Sequence, residues 1–427
     1  MSDPKRQFAV EVVERLKAAG YEALWAGGCV RDFLRGQPAK DYDVATNARP
    51  DEVRQLFGQR RTLAVGASFG VIIVRGPTRE AGDVEVATFR HDVDYVDGRR
   101  PSQVVFTTAE EDAKRRDFTI NGMFYDPVEQ RVTDYVGGEH DLAAGVLRAI
   151  GEPQDRMRED KLRMLRAVRF AAALEFDLDP RTADAIRGMA AEIHVVSAER
   201  IAQELRKMLL DRHRRRAMEL AHDVGLLERI FPELRPALEN APAVLWSRTR
   251  NMLQLLPKPG FELALAVLLH TLGPESADVP PADPQAVAKV CRRLRLSNDE
   301  CEHVEWLVAQ QRALDGARTF SQARLKRLLA HPGIADLLEL VRVLTLASDA
   351  DVTDYAYCED YLQRTPAEEI NPPPLITGDD LIRRGMRPGP GFKGILEAVR
   401  DAQLNGEIAT LEEAMQLAMR LNTGSVR

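Results

Sequence analysis

The chain has 427 residues, of which 44% are hydrophobic, with 59 Lys and Arg against 66 Asp and Glu and a formal net charge of −7. That length exceeds one typical core, so two to four domains are expected. No apolar run reaches the roughly eighteen residues of a membrane span, and the opening MSDPKRQFAV lacks the apolar centre of a secretory signal, so neither a membrane-spanning helix nor a secretory signal is expected and a cytoplasmic protein is the expectation.

Pro4 to Ala19 reads as an amphipathic helix with Phe8, Val12, Val13 and Leu16 on its apolar face and Gly20 as its C′ residue. Leu24 to Ala26 then reads as a short apolar strand. It is followed by a Gly27-Gly28 turn, a helix from Val30 to Arg35, and a second strand carrying Asp41 and Asp43. Alternation on a strand puts both aspartates on one side and Tyr42 on the other. Two like charges that close repel unless cations lie between them, which suits a pair of Mg²⁺ ions. The paired glycines leave no Cβ at the turn, so a triphosphate has room to approach the backbone at Gly28, with Arg31 adding positive charge nearby. A lone Asp-x-Asp or Gly-Gly is usually just a solvated turn. Here both occur in order, about a dozen residues apart across a helix-forming segment, and the combination describes metal-assisted nucleotidyl transfer.

Pro50 starts a short helix through Phe57. Arg61 to Val65, Val71 to Arg75 and Asp83 to Thr88 have strand composition. Glu85 is open to two readings, a third carboxylate beside Asp41 and Asp43 or an outward-facing strand residue. Thr88 to Pro101 is highly charged, shows no sustained period and ends in Pro, which predicts a mobile surface loop. Arg115-Arg116-Asp117 opens an apolar segment; Arg116 can offer a planar fork of donors to triphosphate oxygens, and Asp117 can accept from a ribose hydroxyl. Asp126 to Gln130 is a turn between two strand-like runs that closes at Gly137-Gly138 and ends the head.

From Gln154 the period becomes helical. Within a helix spanning Glu159 to Phe170, Leu162, Leu165 and Val168 form a core stripe, and Asp160, Arg163, Arg166 and Arg169 recur every third residue on another face. Such an Asp/Arg pair is either a surface ion pair or a hydrogen-bonding edge. A carboxylate accepting from an exocyclic amino group, with a guanidinium donating to a ring nitrogen or carbonyl, suits C or A and leaves U and G mispaired. Ser197 caps the next helix, and Arg200 to Arg216 is a basic run, either a solvated face or an RNA contact. Leu226 to Leu234 begins a helical body. Pro274 to Pro284 reads as an interhelical loop, Pro366 to Pro374 as a second break, and Arg383 to Lys393 as a basic Gly/Pro-rich turn or an RNA-backbone contact. Cys29, Cys291, Cys301 and Cys358 form no C-x-x-C pair and read as reduced thiols.

GGCVRDFLRG followed by KDYDVAT closely resembles the first signature of the polymerase β-like nucleotidyltransferases, and within them the bacterial class II group of CCA-adding tRNA nucleotidyltransferases and poly(A) polymerases. Arg115 to Asn121, Glu159 to Arg163 running on to Arg169-Phe170, and Glu199 to Leu205 match later motifs of that group in the same order. The resemblance implies catalytic, metal-holding Asp41 and Asp43, with Arg116 and Asp117 on triphosphate and ribose. It further implies a protein template for CTP and ATP at Asp160 and Arg163, triphosphate contacts from Arg166 and Arg169, and a neck element at Glu199-Arg200. It gives the segment after Thr88 a part in adding A. The region after Leu226 resembles a decayed HD-type phosphohydrolase module, with Arg248 at a metal-ligand position and His270-Thr271 in place of His-Asp, so no hydrolase activity is expected.

The expected fold is α+β, with a nucleotidyltransferase head of mixed β-sheet and flanking helices followed by an all-α neck, body and tail. The expected domains are a catalytic head (1–150), a neck with the nucleotide-selecting helix (151–220), a degenerate body (221–365) and an RNA-binding tail (366–427). The expected activity is template-independent addition of C and A to the 3′ end of tRNA from CTP and ATP with Mg²⁺, with nucleotide sites at Gly28, Arg31, Arg116, Asp117, Asp160, Arg163, Arg166 and Arg169 and no obligate protein partner. A poly(A) polymerase and a partial A-adding or CC-adding enzyme share these motifs. A non-catalytic RNA-binding protein on the same scaffold is the alternative of a different class.

Overall fold

Helix α1 (Pro4–Ala18) starts where the Asp3 side chain accepts from the Lys5 amide and ends ahead of Gly20, whose φ of +88° suits a residue without a Cβ. Its buried Phe8, Val12, Val13 and Leu16 pack on one face of a mixed sheet, as their spacing predicts. The computed structural model describes residues 3–66, 70–95, 101–239, 244–273, 285–389 and 391–424, and the chain divides into two compact units, Met1–Pro232 and Glu233–Arg427.

In the first unit, β1 (Ala23–Ala26), helix α2 (Gly28–Leu34), β2 (Asp43–Thr46), helix α3 (Pro50–Phe57), β3 (Thr62–Gly66), β4 (Val71–Arg75) and β5 (Asp83–Thr88) follow in order. After β6 (Arg90–Tyr95), β7 (Pro101–Phe106) and helix α4 (Ala109–Lys114) come β8 (Phe124–Asp126) and β9 (Arg131–Thr133). The seven-stranded sheet runs β3-β4-β5-β2-β1-β8-β9, with β2 and β5 parallel and its other pairs antiparallel. Alternation divides its side chains. Trp25, Val44, Val84 and Val86 face α1, whereas Leu24, Ala26 and Ala45 face α4 through Ala109 and Ala113. Trp25 anchors the first face, with the Tyr42 ring 4.8 Å and the Tyr125 ring 5.6 Å away.

Four expectations change. The second strand begins at Asp43 and leaves Asp41 just ahead of it. β1 pairs only as far as Ala26 opposite Asp43 and turns off at Gly27, so earlier residues have no ladder partner. Thr88 to Pro101 is not a loop throughout: β6 and β7 pair antiparallel, from Arg90 opposite Phe106 to Tyr95 opposite Pro101. The acidic residues between His91, Val93 and Tyr95 hide a period of two, and each strand satisfies the other's backbone groups. Residues 96–100 of that segment lie outside the described residues. The third change is a break in the helix expected from Glu159 to Phe170. After helix α5 (Gly138–Ala144) and β10 (Val146–Leu147), helix α6 (Pro153–Glu159) stops. Asp160 is extended at φ −145° and ψ 107°, and helix α7 (Leu162–Leu174) starts afresh.

The stripe Leu162, Leu165 and Val168 is buried as expected. The neck is not purely helical, because β11 (Asp177–Leu178) pairs parallel with β10. Helices α8 (Pro180–Met189), α9 (Ala198–Leu210, with Ser197 at its cap) and α10 (Arg214–Asp223) complete this part. The basic run is split between α9 and α10. Its Arg214 is buried with Nε donating to the Leu209 carbonyl, and Arg215 and Arg216 pair with Glu219 and Asp177.

Among its described residues the second unit consists of helices and their connections, with no strand. Phe261–Leu269 is buried along nearly its whole length. Helices Gly378–Arg383, Gly391–Asn405 and Leu411–Gly424 share a small core around Leu381, Val399 and Ala418. His270 is buried with Nδ1 2.9 Å from the Val267 carbonyl, and desolvation pushes its pKa down to about 4, as befits a packed neutral imidazole. The loop expected at Pro274 to Pro284 falls outside the described residues. Among the described residues no helix is long and apolar enough to cross a membrane, and the four cysteines are free thiols.

Candidate active site

The hairpin from β1 to β2 builds the floor of a cleft of about 390 Å³ in the first unit, lined by Gly27, Gly28, Arg31, Asp43, Arg115, Arg116, Asp117, Asn121, Asp160, Arg163, Arg166 and Phe170. Gly27 sits at φ +76°, where a side chain is strained, and a Cβ there would lie 3.2 Å from Arg116 Nη1. A Cβ on Gly28 would meet Arg31 Nη2 at 3.6 Å. The two glycines therefore let two guanidiniums close over the turn. Most of the nucleotide residues expected from the sequence converge here: Gly28, Arg31, Arg116, Asp117, Asp160, Arg163 and Arg166.

Asp43 lies on the α4 side of the sheet, directly opposite Glu85 of parallel strand β5. Glu85 thus shares its face, without lining the cleft. Although solvent reaches Asp43, desolvation in the cleft and then the Glu85 carboxylate push its carboxyl up to about 6. The Arg116 guanidinium pulls the other way, and Asp41 adds to the upward push. Asp41 is outside the cleft lining and largely exposed, with Oδ1 3.4 Å from Lys5 Nζ; the same ammonium donates to the Lys40 carbonyl at 2.8 Å. Crowded carboxylates with one raised pKa are what a divalent cation relieves. Among the described residues no group of three or more His, Cys, Asp and Glu side chains could hold a metal alone. The fit is therefore to a hard cation that takes one or two carboxylates and completes its shell with phosphate oxygens and water.

Asp117 is buried. Its Oδ1 accepts from the Phe118 amide at 2.9 Å and Asn121 Nδ2 at 3.1 Å, and its Oδ2 accepts from Arg166 Nε at 2.9 Å and Nη2 at 2.6 Å. Burial alone would raise this carboxyl, but the Arg166 guanidinium holds it below the usual range. These contacts take up its acceptor capacity, so a ribose hydroxyl would have to displace one of them. Asn121 Oδ1 also accepts from Arg31 Nη1 at 2.8 Å, linking Arg31 to Asp117.

Asp160 and Arg163 both line the cleft but do not pair with each other. Asp160 receives Arg200 through Nη1 at 3.2 Å and Nη2 at 2.7 Å, with the Leu162 amide at 3.0 Å. Arg163 bonds Glu159, the Arg156 carbonyl at 3.0 Å and the Arg115 carbonyl at 3.2 Å. Arg169 lies outside the lining, its Nε 2.5 Å from buried Glu204 and its guanidinium 4.0 Å from the centre of the Phe170 ring. Arg31 and Arg166 face the same ring at 5.4 and 5.2 Å. Sequence reasoning missed Asp112, Asn121, Glu159 as a partner, Arg200 as the partner of Asp160, and Glu204. Asn121 reaches Arg31 ninety positions away, Arg200 reaches Asp160 forty away and Glu204 reaches Arg169 thirty-five away, which no local spacing encodes. Asp112 with Arg116 and Glu159 with Arg163 are i,i+4 pairs that helical spacing does offer, and a polar residue at an apolar helix position was the available hint for Glu204.

Residues 23–148 match the family described as "Poly A polymerase head domain", and residues 175–238 the family described as "Probable RNA and SrmB- binding site of polymerase A". The chain is 32% identical to the CCA-adding enzyme of Lactiplantibacillus plantarum over 410 residues, covering 96% of this chain and 94% of that protein. It is 34% identical to the CCA-adding enzyme of Bacillus subtilis over 415 residues, covering 96% of each. Among solved structures, it is similar to the Bacillus stearothermophilus CCA-adding enzyme in complex with CTP, with a TM-score of 0.75 and 27% identity, covering 100% of this chain and 99% of that one.

Proposed function

The chain belongs to the family of the CCA-adding enzymes, nucleotidyltransferases with a mixed-sheet head and a helical remainder, and on that premise we propose that it adds C and A, without a nucleic-acid template, to the 3′ end of tRNA from CTP and ATP. The observation that carries this reading is the convergence in one cleft of Gly27-Gly28, Asp43, four arginines around the turn and neck, and the Asp160/Arg163 pair.

Asp41 and Asp43 would hold a divalent metal, with Mg²⁺ the ion of choice for carboxylate and phosphate oxygen. When bound there, such an ion would supply activation of the attacking hydroxyl and charge neutralisation on the departing pyrophosphate. Arg31 and Arg116 receive the triphosphate over the glycine turn. Asn121 and Arg166 hold Asp117 in the cleft, where a ribose hydroxyl takes the place of one of their donors, and Arg166 and Arg169 add positive potential from the Phe170 side. Asp160 accepts from the exocyclic amino group of C or A while Arg163 donates to the ring, so UTP and GTP leave buried groups unpaired.

The α/β head at 1–150 carries the chemistry, the neck at 151–220 carries base choice, and the body at 221–365 and tail at 366–427 grip the tRNA. The segment around the β6–β7 ribbon serves the switch to ATP, and the working compartment is the cytoplasm. Supplying tRNA that ends before CCA with CTP, ATP or both tests the reading. CC from CTP alone and CCA from the mixture is the expected result. Long A tracts on arbitrary RNA without C would overturn it in favour of a poly(A) polymerase.

A further inference from the structure

We propose that Asp112 is a positioning residue that couples the root of the β6–β7 ribbon to the edge of Arg116 presented to the nucleotide; this rests on the cleft being the nucleotide site. Asp112 is 1% exposed, in the first turn of α4, and its two oxygens serve different elements. Oδ2 accepts from Arg116 Nε at 3.2 Å and Nη2 at 2.8 Å. Oδ1 accepts from Arg115 Nε at 2.8 Å and from the backbone amide of Arg90, the first residue of β6, at 3.2 Å.

The consequence for Arg116 is directional. Its Nε–Nη2 edge is taken by the carboxylate, the guanidinium lies 5.1 Å from the centre of the Phe124 ring, and Nη1 is left pointing at the Gly27 turn. A guanidinium held on one edge by a buried carboxylate is a rigid donor on the other. The same carboxylate fixes where the ribbon leaves the sheet. A shift of Arg90 relative to α4 therefore moves the oxygen pair on which Arg116 rests, and a triphosphate that fixes Arg116 steadies the Arg90 amide in turn. Asp112 stands at i,i+3 and i,i+4 from Arg115 and Arg116, a helical spacing readable in the sequence, whereas its hold on the Arg90 amide spans 22 positions and is not.

A double-mutant cycle on CTP affinity, measured by calorimetry with the full chain, tests the coupling. Asp112→Asn keeps the shape but turns a donor toward the guanidinium. It should weaken CTP about tenfold, as expected for the loss of one charge-assisted contact. The same substitution should cost nothing further in an Arg116→Ala background. Wild-type affinity in Asp112→Asn, or a loss that adds in full to that of Arg116→Ala, would refute the proposal. Unchanged CTP affinity in Arg116→Ala alone would instead refute the nucleotide reading of the cleft. Hydrogen exchange covers the case in which Asp112→Asn does not fold. CTP should slow exchange of the Arg90 amide in the wild type and not in Arg116→Ala, and equal protection in both would sink the idea.

Discussion

Replacing Arg200 with Gln should relax base choice without touching the metal site. Asp160 is the group expected to read the exocyclic amino group, and it sits outside regular helix, so its orientation comes from side-chain contacts. Arg200 holds both of its oxygens, and the Leu162 amide takes a further site on Oδ1. Among the described residues this leaves one acceptor site on Oδ2, enough for a single amino N–H. The Arg200 and Asp160 side chains are 19% and 16% exposed, so solvent screens the pair only weakly. Gln offers one neutral donor in place of a charged fork. A charge-assisted hydrogen bond contributes about 1.5–3 kcal/mol, which corresponds to roughly a 10- to 150-fold effect on a rate or affinity ratio. The assay is kcat/KM for CTP and for UTP on tRNA ending before CCA, for wild type and Arg200→Gln, with thermal unfolding of both. The ratio of CTP to UTP should fall by that factor in a variant that melts near the wild type. A ratio within about twofold of wild type would refute the idea that Arg200 sets the reading edge of Asp160.

Asp43 has a raised carboxyl pKa, so its protonated form stabilises the fold below the ordinary carboxylate range, and that contribution is lost as pH rises through about 6. Asp43→Asn should therefore abolish transfer yet raise the melting temperature at pH 7.5 and not at pH 3.5; calorimetric scans at both values check the sign. Gly27→Ala forces a Cβ into φ +76° and within 3.2 Å of Arg116 Nη1, so it should cost about 1–3 kcal/mol by chemical denaturation and weaken CTP binding. His270 has a depressed pKa, so its neutral burial favours the fold above pH 6.5 and that stability fades toward pH 4. His270→Gln should flatten this part of the stability profile, and metal-dependent phosphodiesterase activity abolished by His270→Ala would contradict the expectation of no hydrolase.

Local order in the sequence was readable where physics is local. The Gly27-Gly28 turn and the alternation of Asp41, Tyr42 and Asp43 can be read from neighbours. The structure keeps that alternation, with Tyr42 buried on Trp25 and both aspartates open to solvent. The parallel pairing of β2 with β5 is not local, and it alone places Glu85 beside Asp43. The period of three through Asp160, Arg163, Arg166 and Arg169 suggested one helical face. The chain instead leaves helical geometry at Asp160 and returns at Leu162, which sends Asp160 to Arg200 and Arg163 to Glu159. The β6–β7 ribbon escaped notice because acidic residues interrupt its apolar alternation, and pairing rather than composition stabilises it.

The most direct measurement is a crystal structure of the protein soaked with CTP and Mg²⁺. The triphosphate should lie over Gly27-Gly28 within reach of Arg116, with metal bridging it to Asp41 and Asp43 and the cytosine edge facing Asp160 and Arg163. A ligand seated away from both carboxylates and out of reach of Arg163 would contradict the account.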